Sequence, residues 1–314
     1  MHPENYSTFD EFVLLGIPVP NHLVIIFFYL LLLTFALSLL GNLTIAVLVL
    51  VHRPMYFFLL NLSILEIAFT LSITPVTLSN LLSKTKTISF YGCITQCFLY
   101  FFLEVAEFVL LAVMSFDRYV AICDPLRYAS VMSFRLCSWL VFCWLAGFIF
   151  VIWPVSAISK LSFCGSNIIN HFFCDIEPLL ALSCSSTHHI EFLGFIIAII
   201  VLLGSLVLTT VSYISIITAV LRIPSATGKK KAFSTCGAHI TVASIYYGSA
   251  IFMYLRQSKG SSLDLKKVVS ILTAVITPVL NPFIYTLRNE KVKEALRDLI
   301  KGRLHSNVHM KINK

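Results

Sequence analysis

Asp117, Arg118 and Tyr119 stand together at the end of a long apolar stretch, within MSFDRYVAICDPLRY from Met114 to Tyr128. An acid beside a base at such an edge has two uses. The arginine can snorkel to the water interface, or its neighbour can hold it and release it later. A positive anchor alone accounts for the arginine but not for the adjacent acid or the tyrosine that follows. Three further acids, Glu66, Glu104 and Glu107, fall inside apolar stretches, where a carboxylate is costly unless neutralised or paired. Glu107 and Arg118 are eleven residues apart. On a helix that is just over three turns, so they share nearly one face about 16 Å apart, too far for a direct ion pair. No nucleophile–base set, Cys-x-x-Cys pair or metal-ligand set accompanies these charges. His188 and His189 are adjacent, and adjacent side chains on a helix do not face one another. The chemistry is that of an electrostatic switch; no enzyme, no catalytic residue and no cofactor is expected.

The elements that position these residues follow from composition. Of 314 residues, 58% are hydrophobic and 12% charged. A soluble domain carries about 25% charged residues, so lipid is the expected solvent. The net charge of +8 sits in short segments between apolar blocks, which fits a membrane surface rather than nucleic acid. A hydrocarbon core of about 30 Å needs roughly 20 helical residues. Seven blocks qualify, approximately 23–51, 56–82, 93–123, 136–157, 190–221, 232–256 and 266–287. The expected fold is therefore an all-α seven-transmembrane bundle over 23–287, with a tail at 1–22 and a short amphipathic helix and tail at 288–314.

Basic residues set the orientation. With the N-terminus outside, Arg53, Arg118, Arg127, Arg135, Arg222, Lys229, Lys230, Lys231 and the basic C-terminal segment are cytoplasmic. Cys93, Cys164, Cys174 and Cys184 then face the oxidising side, an independent agreement. Four cysteines allow three pairings. Asn5-Tyr6-Ser7 is a sequon on the outer tail, so Asn5 is the expected glycan site. The formal matches at Asn42 and Asn61 lie inside spans and are discounted. After the last span, Val292, Ala295, Leu296, Leu299 and Ile300 form one apolar stripe among Lys and Arg, suited to the inner leaflet.

The seventh span ends in TPVLNPFIYTLRN. Pro278 and Pro282 each remove a backbone donor and Asn281 adds an amide in apolar surroundings, so this helix end can adopt alternative packings. Together with GN at 41–42, HRPMYFFLLNLSILE at 52–66, SY at 212–213 and KKAFSTCGAHI at 230–240, these stretches resemble the rhodopsin-like G-protein-coupled receptors. More narrowly they resemble the olfactory receptors of the tetrapod type, over essentially the whole chain.

The resemblance implies roles. Asp117, Arg118 and Tyr119 match the switch at the G-protein face; Asn281, Pro282 and Tyr285 match the seventh-helix switch, and Tyr213 its fifth-helix partner. Lys230, Ala232, Phe233, Ser234, Thr235 and Cys236 match the start of the sixth helix, whose outward swing opens the cytoplasmic cleft. The implied partners are a small odorant and a heterotrimeric G protein of stimulatory olfactory type that raises cyclic AMP, at the plasma membrane. Ser115-Phe116 departs from the family's more usual Ala-Tyr, and Asp124 from its His or Asn. Glu66 and Glu107 match positions facing each other across the second and third helices. They share a proton or hold a sodium ion, or else each is a separately hydrogen-bonded neutral acid.

Phe101, Glu104, Val105 and Phe108 recur at i, i+3, i+4 and i+7, one face of the third helix. By resemblance this face borders the odorant cavity with Ile197 and Val201, and Tyr247, Ile251, Tyr254, Ile271 and Ala274 complete the wall. Such a cleft suits a small, mostly apolar volatile molecule. Glu104 there either recognises an amine by charge or, protonated, donates to a carbonyl or alcohol. The resemblance also pairs Cys93 with Cys174, leaving Cys164 to bond Cys184, and the stretch from about 158 to 189 is long enough to form a lid. A transporter would show an internal repeat; Pro75 and Pro278 interrupt helices here without one.

Overall fold

The computed structural model describes residues 9–52, 57–222, 224–255 and 263–288, with 293 and 297. Asn5 and the C-terminal apolar stripe at 292–300 lie outside the described residues. The side chains of Tyr254 and Tyr285 do too, although both sit on described helical backbone.

The long helices are α1 (Val24–His52), α2 (Phe57–Leu82), α3 (Phe90–Cys123) and α4 (Tyr128–Ile158). A short α5 (Ile176–Leu180) lies in the loop that follows, before α6 (His188–Leu221) and α7 (Ala226–Leu255). The last span is α8 (Leu263–Ile271), a π-helical turn (Leu272–Ile276) and α9 (Thr277–Arg288). Six of these spans are long and apolar enough to cross a membrane. The remaining one, α7, has 30 residues and matches the sixth expected block, one of the two most polar. Helices α4 and α7 begin before the apolar blocks at 136 and 232 because a helix continues into water once nucleated. A run of apolar residues marks only the part that lipid requires.

The π turn has a local cause. Pro278 has no N–H for the carbonyl four residues back, so the ladder shifts register in front of it. Thr277 compensates twice, its N–H and its Oγ1 (2.8 Å) both reaching the Leu272 carbonyl.

α3 runs through the middle of the bundle against α2, α4, α6 and α7, while α1 packs at one edge on α2 and α9. Phe69, Ile73, Leu103, Leu110, Leu111, Val242 and Ala274 belong to one continuous buried core. Leu50, Ile149 and Val207 instead point outward, as residues facing lipid do. Close approach of α3 and α4 requires Gly147, where an added Cβ would lie 2.6 Å from the Phe102 carbonyl.

One feature was not foreseen. β1 (Glu11–Leu14) pairs antiparallel with β2 (Thr87–Ser89) and parallel with β3 (Ile168–Ile169). This three-stranded sheet joins the N-terminal segment to the loops before α3 and after α4. Phe12 and Leu14 are fully buried, with the Phe12 ring edge-on to Phe163 at 5.5 Å. Ser89 then caps α3 by accepting from the Gly92 N–H at 3.1 Å.

Candidate functional site

Three clusters run from the sheet-bearing end of the bundle to the Arg118 end. At the first, the loop after α4 folds over the helix ends. Cys93 on α3 bonds Cys174 with Cα atoms 5.4 Å apart, and Cys164 bonds Cys184 at 5.8 Å. Gln96, one turn after Cys93, ties this bridge to α2: its Nε2 donates to the Ser72 carbonyl at 2.8 Å and its Oε1 accepts from the Cys174 N–H at 3.0 Å. Pro75 lacks the N–H that would serve the Leu71 carbonyl, so this turn of α2 is loosened next to the Ser72 carbonyl that Gln96 reaches. Phe173 stacks on Tyr100 at 4.5 Å. On the other flank Lys266 of α8 pairs with Glu177 at 2.6 Å, and Lys267 donates to Asn170 Oδ1 at 2.7 Å.

Burial dominates this loop's electrostatics. His171 is pushed down to about 3, by desolvation first and then by the Lys267 ammonium. Asp175 is pushed up to about 6, by desolvation first and then by Glu177. Asp175 is an electrostatic neighbour of Glu104, and the His171 ring packs edge-on against Phe173 at 4.4 Å.

Among those residues, Phe101, Glu104, Ile197, Ile251 and Ile271 are only half-buried, although they lie on spans. Val105, Phe108, Val201, Tyr247 and Ala274 are buried around them. Phe108 and Tyr247 meet at 5.6 Å between ring centroids, and Tyr247 Oη bonds Thr209 Oγ1 at 3.1 Å. Thr209 in turn meets Ser115 Oγ at 3.5 Å, a weak contact toward Asp117. Glu104 makes no hydrogen bond or ion pair among the described residues; its electrostatic neighbours include Asp175 and Glu107.

The second cluster centres on Glu66, fully buried on α2. Its Oε1 accepts from Tyr246 Oη at 3.2 Å and from Asn281 Nδ2. Glu107 on α3, equally buried, is its electrostatic neighbour. Three oxygens here, Glu66 Oε2, Glu107 Oε1 and Asn281 Oδ1, have no hydrogen-bond partner among the described residues. Asn42 and Gly41 explain why this region packs. Pro282 denies a donor to the Pro278 carbonyl, and Asn42 Nδ2 supplies it at 3.0 Å. At Gly41 an added Cβ would lie 2.9 Å from the Pro282 ring.

At the third cluster Asp117 is buried and Arg118 pairs with it at 3.5 Å. Tyr128 Oη donates to the other carboxylate oxygen at 2.8 Å. Tyr213 bonds His239 Nδ1 at 2.5 Å and lies in a small apolar cluster with Ile216, Val220 and Cys236, against which Tyr119 packs. Asp124 ends α3, its N–H donating to the Val120 carbonyl, and its carboxylate forms an exposed pair with Arg127 at 3.9 Å.

The sequence reading missed Asn42, Gln96, Tyr128, His239 and Tyr246 as participants. Asn42 and His239 lay inside quoted motifs, but their partners Pro278 and Tyr213 belong to other helices. Tyr128 shares a motif with Asp117 and meets it only because the chain turns back after α3. No spacing rule links Tyr246 to Glu66.

A membrane bundle with an acid-paired arginine at one end, a proline-broken last span and a disulfide-tied loop at the other is the arrangement that the resemblance to rhodopsin-like receptors implies. The family model for olfactory receptors matches residues 30–303. Olfactory receptor 6E1 of Mus musculus is 54% identical over 300 residues, covering 94% of this chain and 96% of its own. Olfactory receptor 6J1 of Homo sapiens is 52% identical over 294 residues, 92% of this chain and 85% of its own. Olfactory receptor 287 of Rattus norvegicus is 51% identical over 305 residues, 96% and 98% respectively. The chain belongs to the olfactory receptor family of rhodopsin-like G-protein-coupled receptors, as a multi-pass membrane protein that is a receptor rather than an enzyme.

Proposed function

We propose that this receptor is activated by a small, mostly apolar volatile odorant bound between α3, α6, α7 and α8, beneath the long loop. Activation passes to a stimulatory, olfactory-type G protein and raises cyclic AMP. The observation that carries the pocket is Glu104, a half-buried carboxyl on a membrane span with no hydrogen-bonded partner among the described residues. A ligand group that completes it gains the full value of a charge-assisted bond in a site shielded from water. Phe101, Phe108, Tyr247 and Ile251 supply the apolar wall.

Transmission uses the other two clusters. Asn281 joins the last span to Glu66, so movement of α9 alters the acid pair. Glu66 and Glu107 cannot both ionise cheaply at close quarters; they share a proton or hold a sodium ion that favours the resting state. Their unpartnered oxygens and Asn281 Oδ1 are the hard donors such an ion prefers. At the far end Tyr128 and Asp117 restrain Arg118 until the G protein competes for it. In this reading the N-terminus and Asn5, which carries the glycan, are outside the cell. The Arg118 end and the C-terminal amphipathic segment face the cytosol.

A cyclic AMP reporter in cells expressing the chain, screened against a chemically diverse odorant panel, tests the proposal. An agonist whose potency falls in Phe108→Ala and changes in Glu104→Gln supports it. An agonist indifferent to both places the pocket elsewhere. Surface labelling of an N-terminal tag on intact cells tests the orientation.

A further inference from the structure

The geometry points to a phospholipid site in the cleft between the N-terminal segment and the adjoining ends of α1 and α2. Gly16 turns the chain out of β1 with φ of 75°, so that residues 17–21 pass along the end of α2 before α1 begins. The turn leaves a cleft of about 400 Å³. Val24, Ile25, Leu81 and Leu82 give it apolar patches, while Asn21, Ser83 and Lys86 supply polar groups, so the lining is mixed.

Lys86 decides what can occupy it. Its backbone is fixed, because its carbonyl accepts from the Leu14 N–H at 2.7 Å. Its ammonium lies over Gly16, where a methyl group would sit 3.7 Å from Nζ. The side chain is half-buried yet forms no ion pair or hydrogen bond among the described residues. A cation so placed is matched by an anionic oxygen, and phosphate offers several.

Position supplies the rest. With 29 residues, α1 is about 43 Å long, against a hydrocarbon core of about 30 Å. Its ends therefore stand among lipid headgroups. Below the cleft Ile25 and Tyr29, one turn apart, are each 64% exposed and mark a track for an acyl chain. A free anion leaves the apolar patches uncovered, and an uncharged volatile leaves Lys86 unpaired. A phosphodiester head with its chain on α1 satisfies both. In the orientation proposed above the lipid comes from the outer leaflet, but the site does not depend on the odorant reading.

Native mass spectrometry of the full chain, stripped of lipid in detergent and titrated with phosphatidylcholine, tests this. Wild type and Lys86→Arg should take up one firmly held phospholipid, and Lys86→Glu should bind it about tenfold more weakly or worse. Lys84→Glu, the same charge change on an exposed neighbour, should bind like wild type. Diacylglycerol and inorganic phosphate should compete poorly. Lys86→Met guards against misfolding, since uptake should fall at an unchanged thermal midpoint. Unaltered uptake in Lys86→Glu or Lys86→Met overturns the site. So does an equal loss in Lys84→Glu, which would mean diffuse surface attraction, or equal competition by diacylglycerol.

Discussion

Asn42 on α1 donates to the carbonyl of Pro278 on α9 at 3.0 Å, closing a gap that Pro282 opens in the last span. The same amide group also reaches Ser38 O at 3.0 Å, so one side chain holds two helices in register. Removing it strands a buried carbonyl. Asn42→Ala should therefore lower stability by about 1–3 kcal/mol, read as a fall in thermal midpoint in nanodiscs. An unchanged midpoint would show that the carbonyl finds another donor.

Gly41 makes a companion case. A methyl group there meets the rigid Pro282 ring rather than a side chain that can swing away. Gly41→Ala should cost about 1–3 kcal/mol by overpacking and displace α9 from α1. A midpoint equal to wild type would mean that the helices separate freely.

Tyr128→Phe deletes one hydroxyl, the one that donates to Asp117 at 2.8 Å. A bond to a charged acceptor contributes about 1.5–3 kcal/mol, enough to move a two-state equilibrium roughly tenfold or more. Basal cyclic AMP should rise without odorant. Unaltered basal signalling at equal surface expression would remove Tyr128 from the restraint. Asp124→His should matter far less, because its pair with Arg127 is exposed.

The loop carries a pH signature. His171 is held down to about 3, so the native state favours its neutral ring. As pH falls below the unfolded value near 6.5, the unfolded chain binds a proton that the native chain refuses, and stability is lost. Asp175, raised to about 6, acts oppositely, because the native state binds its proton first as pH falls. His171→Phe removes only the destabilising response. Between pH 6.5 and about 5 its midpoint should rise relative to wild type, by a margin that grows as pH falls. A constant margin would mean that His171 does not stay neutral.

Six spans were legible because lipid demands long apolar runs; the more polar α7 was legible in part from Lys229–Lys231 at its start. The Asp117–Arg118 pair was legible in part, since charge at such an edge asks for a partner. Tyr128, the second partner, was not, because it returns from beyond the Asp124-Pro125 break. The sheet was hidden for another reason. Its strands are four, three and two residues long, too short for alternation to register, and only their pairing makes them strands. Asn42 read as a sequon to discard, while its structural partner lay 236 residues away.

Linkage between the two ends of the bundle is tested most directly by odorant affinity measured with and without nucleotide-free stimulatory G protein. Coupling free energy is reciprocal, so a partner that captures Arg118 must tighten the distant pocket. Purified receptor in nanodiscs should bind its agonist about 5–150-fold more tightly with the G protein present, and Arg118→Ala should abolish the difference. Equal affinity in both states, or a gain that survives Arg118→Ala, would contradict the account.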